Sequence, residues 1–75
     1  MQLKFSRHAK RRAALYGIQE TAVAKIIEDK RLGSGRHEIV EDVATLKYPL
    51  KIVVSIENDI ITVISTYPLK KGRKP

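Results

Sequence analysis

The sequence predicts an α+β fold in which two N-terminal helices pack on a three- or four-stranded antiparallel sheet. Three observations carry this expectation. Apolar residues recur at helical spacing from Phe5 to Ile27, residues 37–67 are rich in Val, Ile and Thr, and turn-forming residues interrupt that second stretch. The 75 residues leave room for one domain, since a domain usually needs about 100 to 200. With 43% hydrophobic and 31% charged residues the chain can bury a core, so residues 1–67 are expected to fold as one unit. Residues 68–75, where Pro and Gly bracket a lysine cluster, are expected to form a basic, flexible tail.

The first helix is expected over residues 7–16. Ser6 is a good N-cap and Gly17 a good C-terminal stop, and the helix aligns Phe5, Ala9, Ala13 and Tyr16 on one side, leaving Lys and Arg on the other. A second helix over residues 19–30 carries Ala22, Val23, Ile26 and Ile27 at the same spacing, with Ile18 placed to staple onto Val23. Residues 32–36, containing Gly33, Ser34 and Gly35, form the turn into the β half. Breaks at residues 47–49 and at Asn58 and Asp59 then divide residues 37–67 into three strands.

A two-residue turn at Asn58 and Asp59 fixes the pairing of the last two strands. Glu57 then faces Ile60, Ile56 faces Ile61, Val54 faces Val63, Ile52 faces Ser65, Lys51 faces Thr66 and Leu50 faces Tyr67. One sheet face becomes apolar, with Leu50, Ile52, Val54, Ile56, Ile61, Val63 and Tyr67, and it is where the helices are expected to pack. The opposite face mixes Lys51, Val53, Ser55, Thr62, Ile64 and Thr66, a platform suited to a ligand. A slip of one residue exchanges the two faces, so the role of Lys51 depends on that turn.

The net charge of +7 is unevenly placed. Residues 1–17 carry +5, residues 18–67 carry −2 and residues 68–75 carry +4. Two basic ends around a slightly acidic middle suit a polyanion such as RNA, or an acidic protein partner. The expected nucleic-acid contacts are Lys4, Arg7, Lys10, Arg11, Lys51, Lys70, Lys71 and Arg73. The plain alternative is a soluble helix face and a solvated tail. Absence of cysteine excludes a disulfide framework and a thiolate site. The longest apolar run, residues 13–16, is far short of the about 20 residues of a membrane span, which predicts a soluble, cytoplasmic protein with no membrane partner.

No phosphate-binding glycine loop, metal-spaced His and carboxylate set or nucleophile elbow is present, so no cofactor or metal is expected. His8 and Arg12 share a helix face at i, i+4, a pairing suited to phosphodiester chemistry in which one group moves a proton and the other holds developing negative charge. Against this stands a His8 ring packed on the sheet beside a merely soluble Arg12. His37, beside Glu38 at the start of an edge strand, is expected to be a surface residue. Among the tyrosines, Tyr16 and Tyr48 are expected in core or rim packing, whereas Tyr67, at the end of the last strand, divides between packing and a site.

Ser6, Arg7, His8 and Ala9, then Arg12, then Gly17 and Ile18 ahead of a second helix, resemble the small bacterial proteins grouped as domain-of-unknown-function 4258, whose opening is S-x-H-A-x-x-R followed by R-G-I-S. The strands ending in Thr66 and Tyr67 are similar to that family's ending, and the likeness covers residues 3–67. Tyr16 and Gln19 depart from it, standing where an arginine and a serine or threonine N-cap are usual. The family is related to RelE/ParE-type toxins and to the barnase-like metal-independent RNases. The resemblance therefore implies two N-terminal helices on an antiparallel sheet, and RNA cleavage by attack of the ribose 2′-hydroxyl on the adjacent phosphate. It assigns catalytic roles to His8 and Arg12 on the helix and to Thr66 and Tyr67 at the strand end.

Three functional readings follow. The first is a toxin-like endoribonuclease, of the mRNA-interferase type, from a toxin–antitoxin pair. The second is a non-catalytic nucleic-acid-binding module, recognisable by a linear fall of log affinity with log salt. The third is an interaction protein whose basic surface and open sheet edge receive an acidic, antitoxin-like chain. A small core and an exposed edge also admit a homodimer.

Overall fold

A computed structural model of the protein describes residues 2–43 and 47–69. The chain order is β1 (Gln2–Phe5), α1 (Arg7–Tyr16), α2 (Glu20–Glu28), β2 (Gly35–Glu41), β3 (Leu50–Glu57) and β4 (Ile60–Pro68). The strands form one four-stranded mixed sheet in the order β1-β4-β3-β2. Both helices cover the same face of it, since Ala9, Ala13, Ile18, Val23 and Ile27 join Ile39, Leu50, Ile52, Val54, Ile56, Ile61 and Val63 in one core.

Helix α1 begins and ends where its sequence says. The Ser6 hydroxyl accepts the Ala9 amide at 3.0 Å, removing one of the unpaired donors of the first turn. At the other end Gly17 takes φ 67°, and the Ile18 amide donates to the Ala13 carbonyl at 2.8 Å, so the terminal carbonyls are met in a left-handed cap. Helix α2 starts at Gln19 without a side-chain cap, as its amide side chain leads one to expect. The β3–β4 hairpin turns on Asn58 and Asp59, whose φ values of 49° and 67° define the mirror-image turn that matches the strand twist.

The sheet departs from expectation in two respects. First, Gln2–Phe5 is a strand running parallel to β4, so the sheet is mixed rather than antiparallel and a strand precedes the helices. Four residues are too short to read from periodicity. What makes them a strand is the free edge of β4: the Gln2 amide donates to the Asp59 carbonyl at 2.9 Å and the Ser6 amide to the Val63 carbonyl at 3.0 Å. Leu3 and Phe5 then turn onto the core, and Phe5 reaches it from a strand rather than from the helix.

Second, the β3–β4 register shifts between Val53 and Val54. Glu57–Ile60, Ile56–Ile61 and Val54–Val63 pair as expected, but Val53 pairs with Ser65, Ile52 with Thr66, Lys51 with Tyr67 and Leu50 with Pro68. Ile64 is the extra residue of a β-bulge. Its carbonyl accepts a hydrogen bond from the Ser6 hydroxyl at 2.9 Å, which gives the bulge a partner that the ladder withholds. The expected pairs Lys51–Thr66, Ile52–Ser65 and Leu50–Tyr67 are thereby corrected. Thr66 becomes a fully buried core residue, and Tyr67 moves to the face that the helices leave open. Strand β4 also continues to Pro68, and the Leu69 amide donates to the Pro49 carbonyl at 2.8 Å, so ordered structure extends two residues into the stretch assigned to the tail. Residues 70–75 lie outside the described residues.

Candidate functional site on the open sheet face

The bulge is what assembles a polar cluster. On the helix-free face Lys51 of β3 stands between Tyr67 of β4, its cross-strand partner, and Val40 of β2. Glu38, one pleat along β2 on the same face, accepts an ion-pair contact from the Lys51 ammonium at 2.9 Å. Lysine, carboxylate and phenol are thus held on three adjacent strands, where the ladder restrains each backbone.

Their electrostatics are mutual. The hydrogen bond and charge of Lys51 hold the Glu38 carboxyl below its ordinary 4.5, with Arg36 assisting. The Glu38 hydrogen bond, and the Tyr67 oxygen beside it, raise the Lys51 ammonium above its ordinary 10.5. Near neutral pH the cluster therefore presents an ammonium and an ionised carboxylate, with the Tyr67 side chain beside them. Sequence reading placed Lys51 on this face but missed Glu38 and Arg36. The signal was their i, i+2 spacing in a strand that alternates outward charges with inward His37 and Ile39.

The remaining candidates occupy other places. His8 is exposed on α1, in the helical layer on the opposite side of the sheet. Arg12, half-buried on the same helix, approaches the hydroxyl of Tyr16 at 3.5 Å rather than the open face. Thr66 lies between the layers, its hydroxyl buried and unpaired. The four residues assigned catalytic roles by resemblance thus fall into three separate locations, and Tyr67 is the one that stands beside Lys51. Lys4 projects onto the open face through its pairing with Thr62, Arg7, Lys10 and Arg11 are exposed on α1, and Lys70, Lys71 and Arg73 lie outside the described residues. His37 is half-buried, and its Nε2–H donates to the Gly33 carbonyl at 2.8 Å, closing the turn into β2. Tyr48 is half-buried, with the Lys47 ammonium 6.0 Å from its ring centre.

Two concavities flank this arrangement. A cleft of about 600 Å³ opens between α2 and the sheet, lined by apolar Leu3, Ile27, Ile56 and Ile61 and by charged Glu28, Lys30 and Arg31, of which Lys30 is ion-paired with Glu41 at 2.9 Å. A smaller polar one, about 270 Å³, lies on the open face near the β3–β4 turn. No helix among the described residues is long and apolar enough to cross a membrane. No family model, curated protein or solved structure matches the chain.

Proposed function

We propose that the chain is a toxin-like, metal-independent endoribonuclease whose RNA lies across the open sheet face. The observation that carries this reading is the Glu38–Lys51–Tyr67 cluster: three groups able to take a proton, hold negative charge and give a proton, on neighbouring strands of a face that no helix or strand among the described residues covers. In the reaction the Glu38 carboxylate takes the proton of the ribose 2′-hydroxyl as its oxygen attacks the adjacent phosphorus. The Lys51 ammonium stabilises the charge gathering on the phosphorane oxygens. The bond from phosphorus to the 5′-oxygen breaks as Tyr67 donates its proton to that oxygen, leaving a 2′,3′-cyclic phosphate and a 5′-hydroxyl. Exposed Lys4, on the same face, adds a sequence-independent attraction for the phosphate backbone, whereas Arg7, Lys10 and Arg11 stand on the helical side of the sheet.

The test is incubation of purified protein with single-stranded RNA in EDTA, with analysis of the product ends. Parent protein should form cyclic phosphate ends, and Lys51→Ala and Tyr67→Phe should each slow cleavage about 100-fold or more, the usual weight of a positioned acid–base or charge-stabilising group. His8→Ala should change it far less. Loss of activity in His8→Ala with retention in Lys51→Ala would overturn the assignment to the open face.

The apolar cleft, with Glu28, Arg31 and the Glu41-paired Lys30 at its margin, supports a second reading, an amphipathic segment of an acidic, antitoxin-like partner seated against α2 with a carboxylate toward Arg31. Titration with an acidic amphipathic peptide, followed by amide shifts at Ala24, Ile27 and Ile61, tests it. Shifts confined to the exposed face of α1 would count against that seat.

A further inference from the structure

Strand β2 ends the sheet order β1-β4-β3-β2, so one of its sides pairs with β3 and no strand among the described residues pairs with the other. Such an edge carries a row of amides and carbonyls that another strand can join. The opposite edge, β1, is blunted by its length of four residues. Strand β2 runs for seven, contains no proline, and exposes Val40 on the open face.

The charges along this edge fall into two groups. Glu38 and Glu41 are already paired within the chain, to Lys51 and Lys30, each at 2.9 Å. Arg36 and Asp42, both exposed, have no ion-pair partner among the described residues. They have opposite signs, and Ile39 stands midway between them. Arg36, opposite Ser55, and Val40, opposite Lys51, lie on the open face, and alternation continued past Val40 brings Asp42 to it as well.

We propose that β2 pairs with the β2 of a second copy of this chain, antiparallel and centred on Ile39, to make one continuous eight-stranded sheet. A two-fold interface uses the same patch on both copies, so each contact between two residues occurs twice. Strand alternation permits only registers that keep like faces together, which are those centred on a residue. Centred on Ile39, Arg36 faces the partner's Asp42 and Asp42 faces the partner's Arg36, so both leftover charges are matched. Val40 faces the partner's Glu38, and the two Val40 side chains become diagonal neighbours. The adjacent registers are worse. Centring on Glu38 sets that carboxylate against its own copy, and centring on Val40 sets Glu38 against the partner's Asp42, like charges directly opposed in both cases. Centring on His37 leaves Asp42 beyond the paired segment. The Ile39 register also carries both Glu38–Lys51–Tyr67 clusters on one face, their β3 strands separated by three strand spacings, about 14 Å. The pairing stands whether or not that face cleaves RNA.

The experiment is sedimentation equilibrium of the full chain from about 10 μM to 1 mM, because an interface of one strand pair is small and its association weak. Salt of about 0.15 M screens the repulsion between two chains of net charge +7 and leaves directly opposed pairs in force. The mass should rise with concentration from one chain toward two. Arg36→Asp and Asp42→Arg should each weaken the dimer about tenfold, since each turns two attractive cross-strand pairs repulsive. An equimolar mixture of the two variants should recover it, because every leftover charge then meets its opposite on the other chain. Both sites are exposed, and recovery in the mixture shows that both variants are folded. A single-chain mass at every concentration would overturn the proposal, as would a dimer indifferent to either substitution or one lost in both variants without recovery on mixing.

Discussion

Replacing Ser6 by alanine removes one hydroxyl that does two jobs. It accepts the Ala9 amide at 3.0 Å, capping α1, and donates to the Ile64 carbonyl at 2.9 Å, satisfying the bulge of β4. Loss of a serine N-cap costs about 1 kcal/mol. The lost bond to a half-buried carbonyl costs about 1 kcal/mol more. The expected loss for Ser6→Ala is therefore about 2 kcal/mol, a sizeable share of the roughly 4 to 11 kcal/mol available to a domain of this size. Thermal unfolding should shift down by about 8 to 16 °C, since 1 kcal/mol moves a domain of 60 to 100 residues by about 4 to 8 °C. Ser6→Gly separates the two jobs, because glycine at an N-cap costs only a few tenths of a kcal/mol, so the variant should lose little more than the Ile64 bond. Urea unfolding of the three proteins measures both differences. If Ser6→Ala lies within about 0.5 kcal/mol of the parent, the hydroxyl does not hold the bulge and cap together.

Thr66→Val removes a buried hydroxyl without a partner and keeps the side-chain shape, so chemical denaturation should show stability unchanged or raised by about 1 kcal/mol, with RNA cleavage intact. Cleavage lost with the fold retained would return Thr66 to the site. Asp59 holds φ 67°, a conformation glycine adopts without strain, and Asp59→Gly should raise stability by about 1 kcal/mol in the same assay. A destabilised variant would mean that the aspartate side chain holds the turn. The Glu38–Lys51 pair has a signed pH dependence. Glu38's folded value is lowered, so its contribution is present above 4.5 and lost as pH falls through that lower value; Lys51's is raised, so its contribution is present below 10.5 and lost as pH rises through the higher folded value. In Lys51→Gln the Glu38 carboxyl should titrate closer to 4.5 by NMR, and an unchanged titration would refute the ion pair.

Much of the architecture is legible locally because its causes are local. Ser6 and Gly17 delimit α1 through groups within one turn of each end, the apolar spacing of Val23 and Ile27 selects the buried side of α2, and Asn58 with Asp59 closes a hairpin whose first pairs follow from alternation alone. The sequence by itself also determined the inward set from Leu50 to Ile56 on β3, since four apolar residues at period two leave one way to bury them.

Tertiary structure alone decided the rest. Gln2–Phe5 is a strand only because β4 offers a free edge 58 residues away in the chain, and parallel pairing at such separation leaves no trace in local composition. The bulge at Ile64 likewise meets a donor from Ser6, equally remote in sequence, and its consequence is large because strand alternation has period two. One extra residue sends Thr66 into the core and Tyr67 out beside Lys51. The chemistry available to the open face is therefore set by a one-residue offset between β3 and β4, which alternation along either strand alone does not reveal.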